Sequence, residues 1–231
     1  MQRVINGQLV NYEVLGSGKK NIVILHGWGG NFTEWLPVAK RLETRYKIWL
    51  LDFPGFGGSP KPGEDWSIYD YARLVQDFID ENKIKDVIVM GHSFGGKVAI
   101  LLKAKKLILV DAAGLEIKSL KAKVLGLAAD YLKWLPQNVK NLFGSPDYKS
   151  AGNMRKIFVK TVNQNLSKEM TEVKCPALII WGEKDRVLPI SQAKKIKELI
   201  GDSEIRVVWG ADHWPHLSKP NEFMEILDEY L

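Results

Sequence analysis

Cysteine is almost absent from this 231-residue chain, and so are long apolar runs. Cys175 is the only cysteine, so no intrachain disulfide can form and a reducing, cytoplasmic setting is expected. Beside Pro176 it reads as a small buried residue rather than a reactive thiol. No 18-residue stretch is free of charge, which argues against a membrane span and stable membrane insertion. Residues 1–20 hold no long apolar segment, so a secretory leader is not expected. No His/Cys cluster has metal-ligand spacing, and neither a metal nor a cofactor is implied. Internal repeats, low-complexity tracts and nucleic-acid reader motifs are also missing.

The net charge is +6, and the excess sits in one place. Residues 115–174 carry 11 Lys and Arg against 5 Asp and Glu, while the rest of the chain is balanced. A solvated lysine-rich surface accounts for this; attraction of acidic substrates is the sharper reading.

The remaining sequence alternates short apolar runs with helical patterns. Gln2–Ile5 and Gln8–Val14 flank Asn6-Gly7, a hairpin signal. Ile22–Leu25, Ile48–Leu51, Val87–Met90, Leu107–Val110, Ala177–Trp181 and Arg206–Trp209 read as buried strands. Thr33–Leu42 and a Ser67-capped segment to Glu81 read as helices. The expected fold is α/β: a mostly parallel central sheet, an N-terminal antiparallel hairpin and helices on both faces. Between Leu115 and Thr171 no strand is evident, only helical stripes. We therefore expect a core of residues 1–114 and 172–231, with a helical lid, 115–171, inserted after the sixth strand. The crossover after Ser93 is short: a helix from Lys97 to Leu102 leaves almost no loop before Leu107. Lys103, Lys105 and Lys106 would then complement that helix's C-terminus.

Gly91-His92-Ser93-Phe94-Gly95 follows the Val87–Met90 strand and opens a helix. A strand, a Gly-x-Ser-x-Gly turn and a helix project a serine hydroxyl above the sheet edge, beside the positive end of a helix. Gly91-x-x-x-x-Gly96-Lys97 also approaches a phosphate-binding loop, but Val98 stands where a magnesium-holding hydroxyl is required. Two later strands end in loops containing Asp185 and His213. Serine, acid and histidine thus all fall at carboxyl ends of strands, where open α/β sheets place their sites. Serine needs an imidazole to take its proton, and the imidazole needs a carboxylate to hold its tautomer. The oxyanion needs preorganised N–H donors, here the amides of Phe94 and of Trp28 in the His26–Gly30 loop.

In order and content these segments resemble the α/β-hydrolase superfamily. His26-Gly27-Trp28-Gly29, Asp52 to Ser59, Gly91 to Gly96, Gly182 to Pro189 and His213 to Leu217 carry the resemblance. Within it the chain is similar to small serine carboxylesterases, including the pimeloyl-carrier methyl ester esterase type, whose oxyanion loop also reads His-Gly-Trp-Gly. The resemblance implies Ser93, Asp185 and His213 as the catalytic set, ahead of Asp111 and His216. It leaves His26 and His92 as structural residues, and Asp52 and Asp212 cap loops. The expected activity is hydrolysis of carboxylic esters with small to medium acyl chains, by a monomer or homodimer. Trp28, Tyr131, Trp134, Phe158 and Trp214 are expected to line the substrate pocket. Lactones, thioesters and C–C bonds are cleaved by enzymes of the same fold, and some members bind signalling ligands with little turnover. C–C hydrolases usually carry a Gly-Pro-Gly type oxyanion loop, which this chain lacks.

Overall fold

A computed structural model describes residues 1–63, 65–115 and 151–231. The strands are β1 (Gln2–Ile5), β2 (Gln8–Leu15), β3 (Lys20–Leu25), β4 (Tyr46–Leu51), β5 (Ile88–His92), β6 (Lys106–Val110), β7 (Ala177–Gly182) and β8 (Ser203–Val208). They form one eight-stranded sheet in the order β1-β2-β4-β3-β5-β6-β7-β8. The β1/β2 and β2/β4 pairs are antiparallel, and every other pair is parallel. Asn6 and Gly7 both adopt positive φ, 47° and 79°, as the predicted two-residue hairpin requires.

The helices among the described residues are α1 (Leu36–Leu42), α2 (Ile68–Glu81), α3 (Phe94–Ala99), α4 (Arg155–Asn163), α5 (Ser167–Thr171), α6 (Ser191–Leu199), α7 (Pro215–Ser218) and α8 (Pro220–Tyr230). Alternate residues of each central strand point to opposite faces, so both faces need cover. Val23, Leu25, Val89, Leu107, Leu109 and Ile179 pack with Tyr71, Val75 and Phe78 of α2 and Ile196 of α6. Ile22, Ile24, Met90, Ile108, Val110 and Ile180 pack with Val38 and Leu42 of α1 and Phe223 and Leu227 of α8. At the start of α2 the Asp70 carboxylate accepts from the Ser67 amide (2.8 Å) and hydroxyl (2.6 Å), fixing the predicted cap position.

Several element bounds differ from the sequence expectation, as where the expected Thr33–Leu42 helix divides into a 3-10 turn, Phe32–Trp35, and α1. The last strand is Ser203–Val208 and not Arg206–Trp209, because its ladder with β7 runs from Ser203 to Val208. Trp209 is 74% exposed in the turn that follows, and along this edge strand apolar character is a poor guide. The helix after Ser93 begins at Phe94 and ends at Ala99. Leu101 and Leu102 then close tighter turns onto the carbonyls of Val98 and Ala99, and Lys105 joins the ladder through the Val87 carbonyl. A real loop, Ile100 to Lys105, therefore precedes β6. Lys105 pairs with Asp86 and Lys106 reaches the Tyr230 carbonyl, so neither serves the helix end as expected.

After residue 151 the chain is docked firmly on the core. Leu166 N donates to the Gly114 carbonyl (2.8 Å), Ile68 N to Gln164 Oε1 (2.9 Å), and Tyr69 hydroxyl to Glu169 (2.5 Å). Among the described residues no helix is long and apolar enough to cross a membrane.

Candidate active site

Ser93 sits at φ 50° and ψ −111°, between β5 and α3. Such backbone is costly for a non-glycine residue and persists only where its surroundings hold it. Here they do: Ser93 N donates to the Val110 carbonyl (3.0 Å), and its own carbonyl accepts from Ala113 N and Lys97 N. The flanking glycines are obligatory for a different reason. A Cβ on Gly91 would lie 2.3 Å from the Gly95 carbonyl oxygen, and one on Gly95 would lie 2.4 Å from that of Leu25.

The hydroxyl emerges beside His213. His213 Nε2 lies 3.1 Å from Ser93 Oγ, and His213 Nδ1 lies 2.7 Å from Asp185 Oδ2. The other Asp185 oxygen accepts from the amides of Val187 (2.7 Å) and Leu188 (2.9 Å). These bonds outweigh burial and hold the Asp185 carboxyl below its ordinary pKa. The loops bearing Asp185 and His213 are tied together, since Lys184 N donates to the Ala211 carbonyl.

The other histidines brace this line. His26 Nε2 accepts from Phe53 N (3.0 Å), so its Nδ1 carries the proton and donates to the Gly27 carbonyl (2.7 Å). The imidazole thereby joins the His26–Gly30 loop to the end of β4. His92 Nε2 donates to the His213 carbonyl (2.7 Å) and fixes the backbone of that loop. His216 stacks flat on Trp35, with centroids 3.9 Å apart. Burial holds His26 to about 4 and His216 to about 3, and keeps His92 well below the ordinary range. All three are neutral at pH 7. Asp52 accepts from Phe32 N, Asn11 Nδ2 and Gly58 N, and Asp212 accepts from Trp214 N, so both act as loop ties.

Phe94 occupies the first turn of α3, where an amide has no intrahelical acceptor. Gly27 approaches from the facing loop: a Cβ there would lie 3.5 Å from Ser93 Cβ. That proximity sets Trp28 beside the serine. Its ring touches Phe94 (5.3 Å between centroids), Phe158 (5.0 Å) and Phe56 (4.9 Å). Of the expected pocket residues, Trp28 and Phe158 therefore meet. Trp214 packs on the His213 ring at 5.0 Å and is 42% exposed. Tyr131 and Trp134 lie outside the described residues.

Three contacts escaped the sequence reading. Phe56, within the Asp52 to Ser59 segment, joins the aromatic wall. Lys97, 3% exposed, sends its ammonium to the carbonyls of Thr161 (2.5 Å) and Val162 (3.4 Å) at the end of α4. Burial lowers its pKa to about 8. Asp111, at the end of β6, lies against Asp185 and His213, with ligand-type atoms of the three within 4.8 Å of one another. The histidine nitrogen and Asp185 are already joined by hydrogen bond, so these atoms are committed to each other rather than to an ion.

A chain so arranged can activate a hydroxyl as a nucleophile and store the proton beside it. The chain is similar to proteins named as lipases and to a solved esterase. Lipase 1 of Psychrobacter immobilis is 28% identical, the match covering 90% of this chain and 73% of that protein. Monoacylglycerol lipase ABHD6 of Mus musculus is 26% identical, over 92% of this chain and 76% of its own length. The solved esterase from Exiguobacterium antarcticum superposes with a TM-score of 0.79 at 23% identity, covering 97% of this chain and 96% of the esterase. The sequence model of the alpha/beta hydrolase family matches residues 22–226, and the chain belongs to that family.

Proposed function

We propose that this hydrolase cleaves carboxylic esters through an acyl-enzyme formed on Ser93. The carrying observation is the unbroken line from Ser93 Oγ through His213 to Asp185, at 3.1 and 2.7 Å. Ser93 Oγ attacks the ester carbonyl carbon while its proton passes to His213 Nε2. The tetrahedral oxyanion is held by the amides of Trp28 and Phe94, preorganised by the His26 brace and the helix start. Collapse breaks the bond to the alcohol, which leaves with the proton from His213. A water molecule then gives His213 a proton as it attacks the acyl carbon, and the reverse collapse frees acid and Ser93. Asp185 holds Nδ1 protonated and stabilises the imidazolium throughout.

Residues 115–171 are proposed as a lid on the core of residues 1–114 and 172–231. Phe158 on α4, packed against Trp28, supports this reading. An aromatic wall of Trp28, Phe56, Phe94 and Phe158 suits a small to medium acyl chain. The single cysteine supports a cytoplasmic setting.

The test is a panel of p-nitrophenyl esters of increasing acyl length, assayed with wild type and Ser93→Ala. Wild type should turn over the shorter members well above the variant. Equal rates for both proteins on every ester would sink the proposal.

A further inference from the structure

Asp111 is completely buried, and its backbone sits at φ 41°, a conformation few residues other than glycine, Asn and Asp tolerate. Its Oδ1 accepts from Gly182 N at 2.9 Å. Among the described residues no donor reaches Oδ2. Around it stand Asp185 on the loop after β7, and Asp212 and His213 on the loop after β8. An ionised Asp111 would thus be a buried charge with one oxygen unsatisfied, facing a second carboxylate. Desolvation and like-charge repulsion both oppose that state.

Two carboxyls sharing one buried site resolve the conflict by keeping one proton. The hydrogen bonds decide which group keeps it. Asp185 accepts from two backbone amides and from His213, which favours its ionised form. Asp111 accepts from one amide. Resting on the reading of Ser93, His213 and Asp185 as the reacting set, we propose that Asp111 is a positioning residue: a neutral carboxylic acid whose Oδ2 proton is donated to Asp185. The acid of the site is then a pair of carboxyls that share one charge. Burial and the neighbouring Asp185 push Asp111 up to about 10, and the bond from Asp111 in turn lowers Asp185. The donated proton tempers the basicity of Asp185, the acceptor of the His213 Nδ1 proton, and so sets the acidic limb of the pH profile.

Asp111→Asn and Asp111→Gly separate this role from simple packing. Asparagine tolerates the left-handed backbone, offers an N–H in place of the O–H, and keeps an acceptor for Gly182 N. Glycine accepts the backbone but removes both groups. Asp111→Asn should keep kcat/KM within about threefold of wild type, with an unmoved acidic limb, whereas Asp111→Gly should lose about tenfold. Its acidic limb should also move up by about half a pH unit, a change that lost packing alone does not produce. Equal loss in both variants, or three superimposable pH profiles, would overturn the proposal. A second readout needs no turnover: the infrared difference between wild type and Asp111→Asn at neutral pH should contain a protonated-carboxyl band. Without that band the pairing fails, even if Ser93-dependent esterase activity stands. With the band but without such activity, the pairing survives and the esterase reading fails.

Discussion

The ends of β5 and β6 lie side by side, and each turns on a non-glycine residue in left-handed backbone, Ser93 at φ 50° and Asp111 at φ 41°. They are stitched together, since Ser93 N donates to the Val110 carbonyl and Ala113 N to that of Ser93. Their surroundings differ in chemistry. Buried imidazoles, His92 and His216, stand behind the first turn, while a second carboxyl, Asp185, stands against the second. Desolvation keeps His92, His216 and Asp111 neutral, in opposite directions: histidine downward, Asp111 upward. Of the paired buried carboxyls it is Asp185 that stays ionised, where two amides and an imidazole converge. The contrast teaches that burial sets protonation by default here, and that a charge survives only where several donors meet.

Replacing the residue of the first turn tests the comparison most severely. Ser93→Ala should lower ester turnover by at least about 10⁴-fold while leaving the fold intact, measured as initial rate beside thermal unfolding. A tenfold loss only would mean that Ser93 is not the nucleophile.

The two titrating surroundings can be broken separately by following stability against pH. A buried neutral histidine takes up protons mainly when unfolded, so stability is lost as the pH falls below about 6.5 towards the folded-state pKa. His216→Phe should keep the stack on Trp35 and flatten that acid slope by up to about 1.4 kcal/mol per pH unit in urea titrations. Asp111 acts in the opposite sense. Its pKa is raised on folding, so its contribution is largest in acid and is lost as the pH climbs from about 4 towards about 10. Asp111→Asn should therefore be more stable than wild type, with a gain that grows between pH 6 and 9. Parallel curves for wild type and either variant would show that the residue is ionised normally in the fold.

Lys97 links the serine helix to α4, and its loss sharpens the contrast by loosening only the first turn's side of the site. Lys97→Met removes the ammonium from the Thr161 and Val162 carbonyls, and Thr161 keeps only the 3.4 Å bond from Gln164 N. A rise in KM of about fivefold with kcat held within about twofold is expected, with partial rescue by Lys97→Arg. A fall in kcat alone would place Lys97 in the chemistry instead. The smallest effect concerns strain. Ser93→Gly should be more stable than Ser93→Ala by about 1 kcal/mol, because glycine adopts the turn freely. Equal stabilities would mean that the turn stores no strain.

Much of this architecture can be read from local pattern. The hairpin follows from Asn6-Gly7, the parallel strands from short β-branched runs, and the elbow from glycines at both sides of Ser93. Asp185 and His213 are legible as loop residues after strands, but 28 residues separate them and no local rule brings them to 2.7 Å. Asp111 looked like a discarded alternative to Asp185. Its role beside that residue depends on β6 and β7 being neighbours, which pairing across the sheet decides. The end of β8 was misplaced because an edge strand buries little, so apolar spacing carries less information there than the ladder.

The sequence by itself determined the alternation of strands and helices, the sharp turn at Ser93 and the inventory of serine, acid and histidine, because these depend on residue period and backbone sterics. Tertiary structure alone decided which carboxyl is charged, which histidines are neutral braces, and that Lys97 ties α3 to α4. Those properties are set by desolvation and by donors arriving from distant segments, and neither exists until the sheet is assembled.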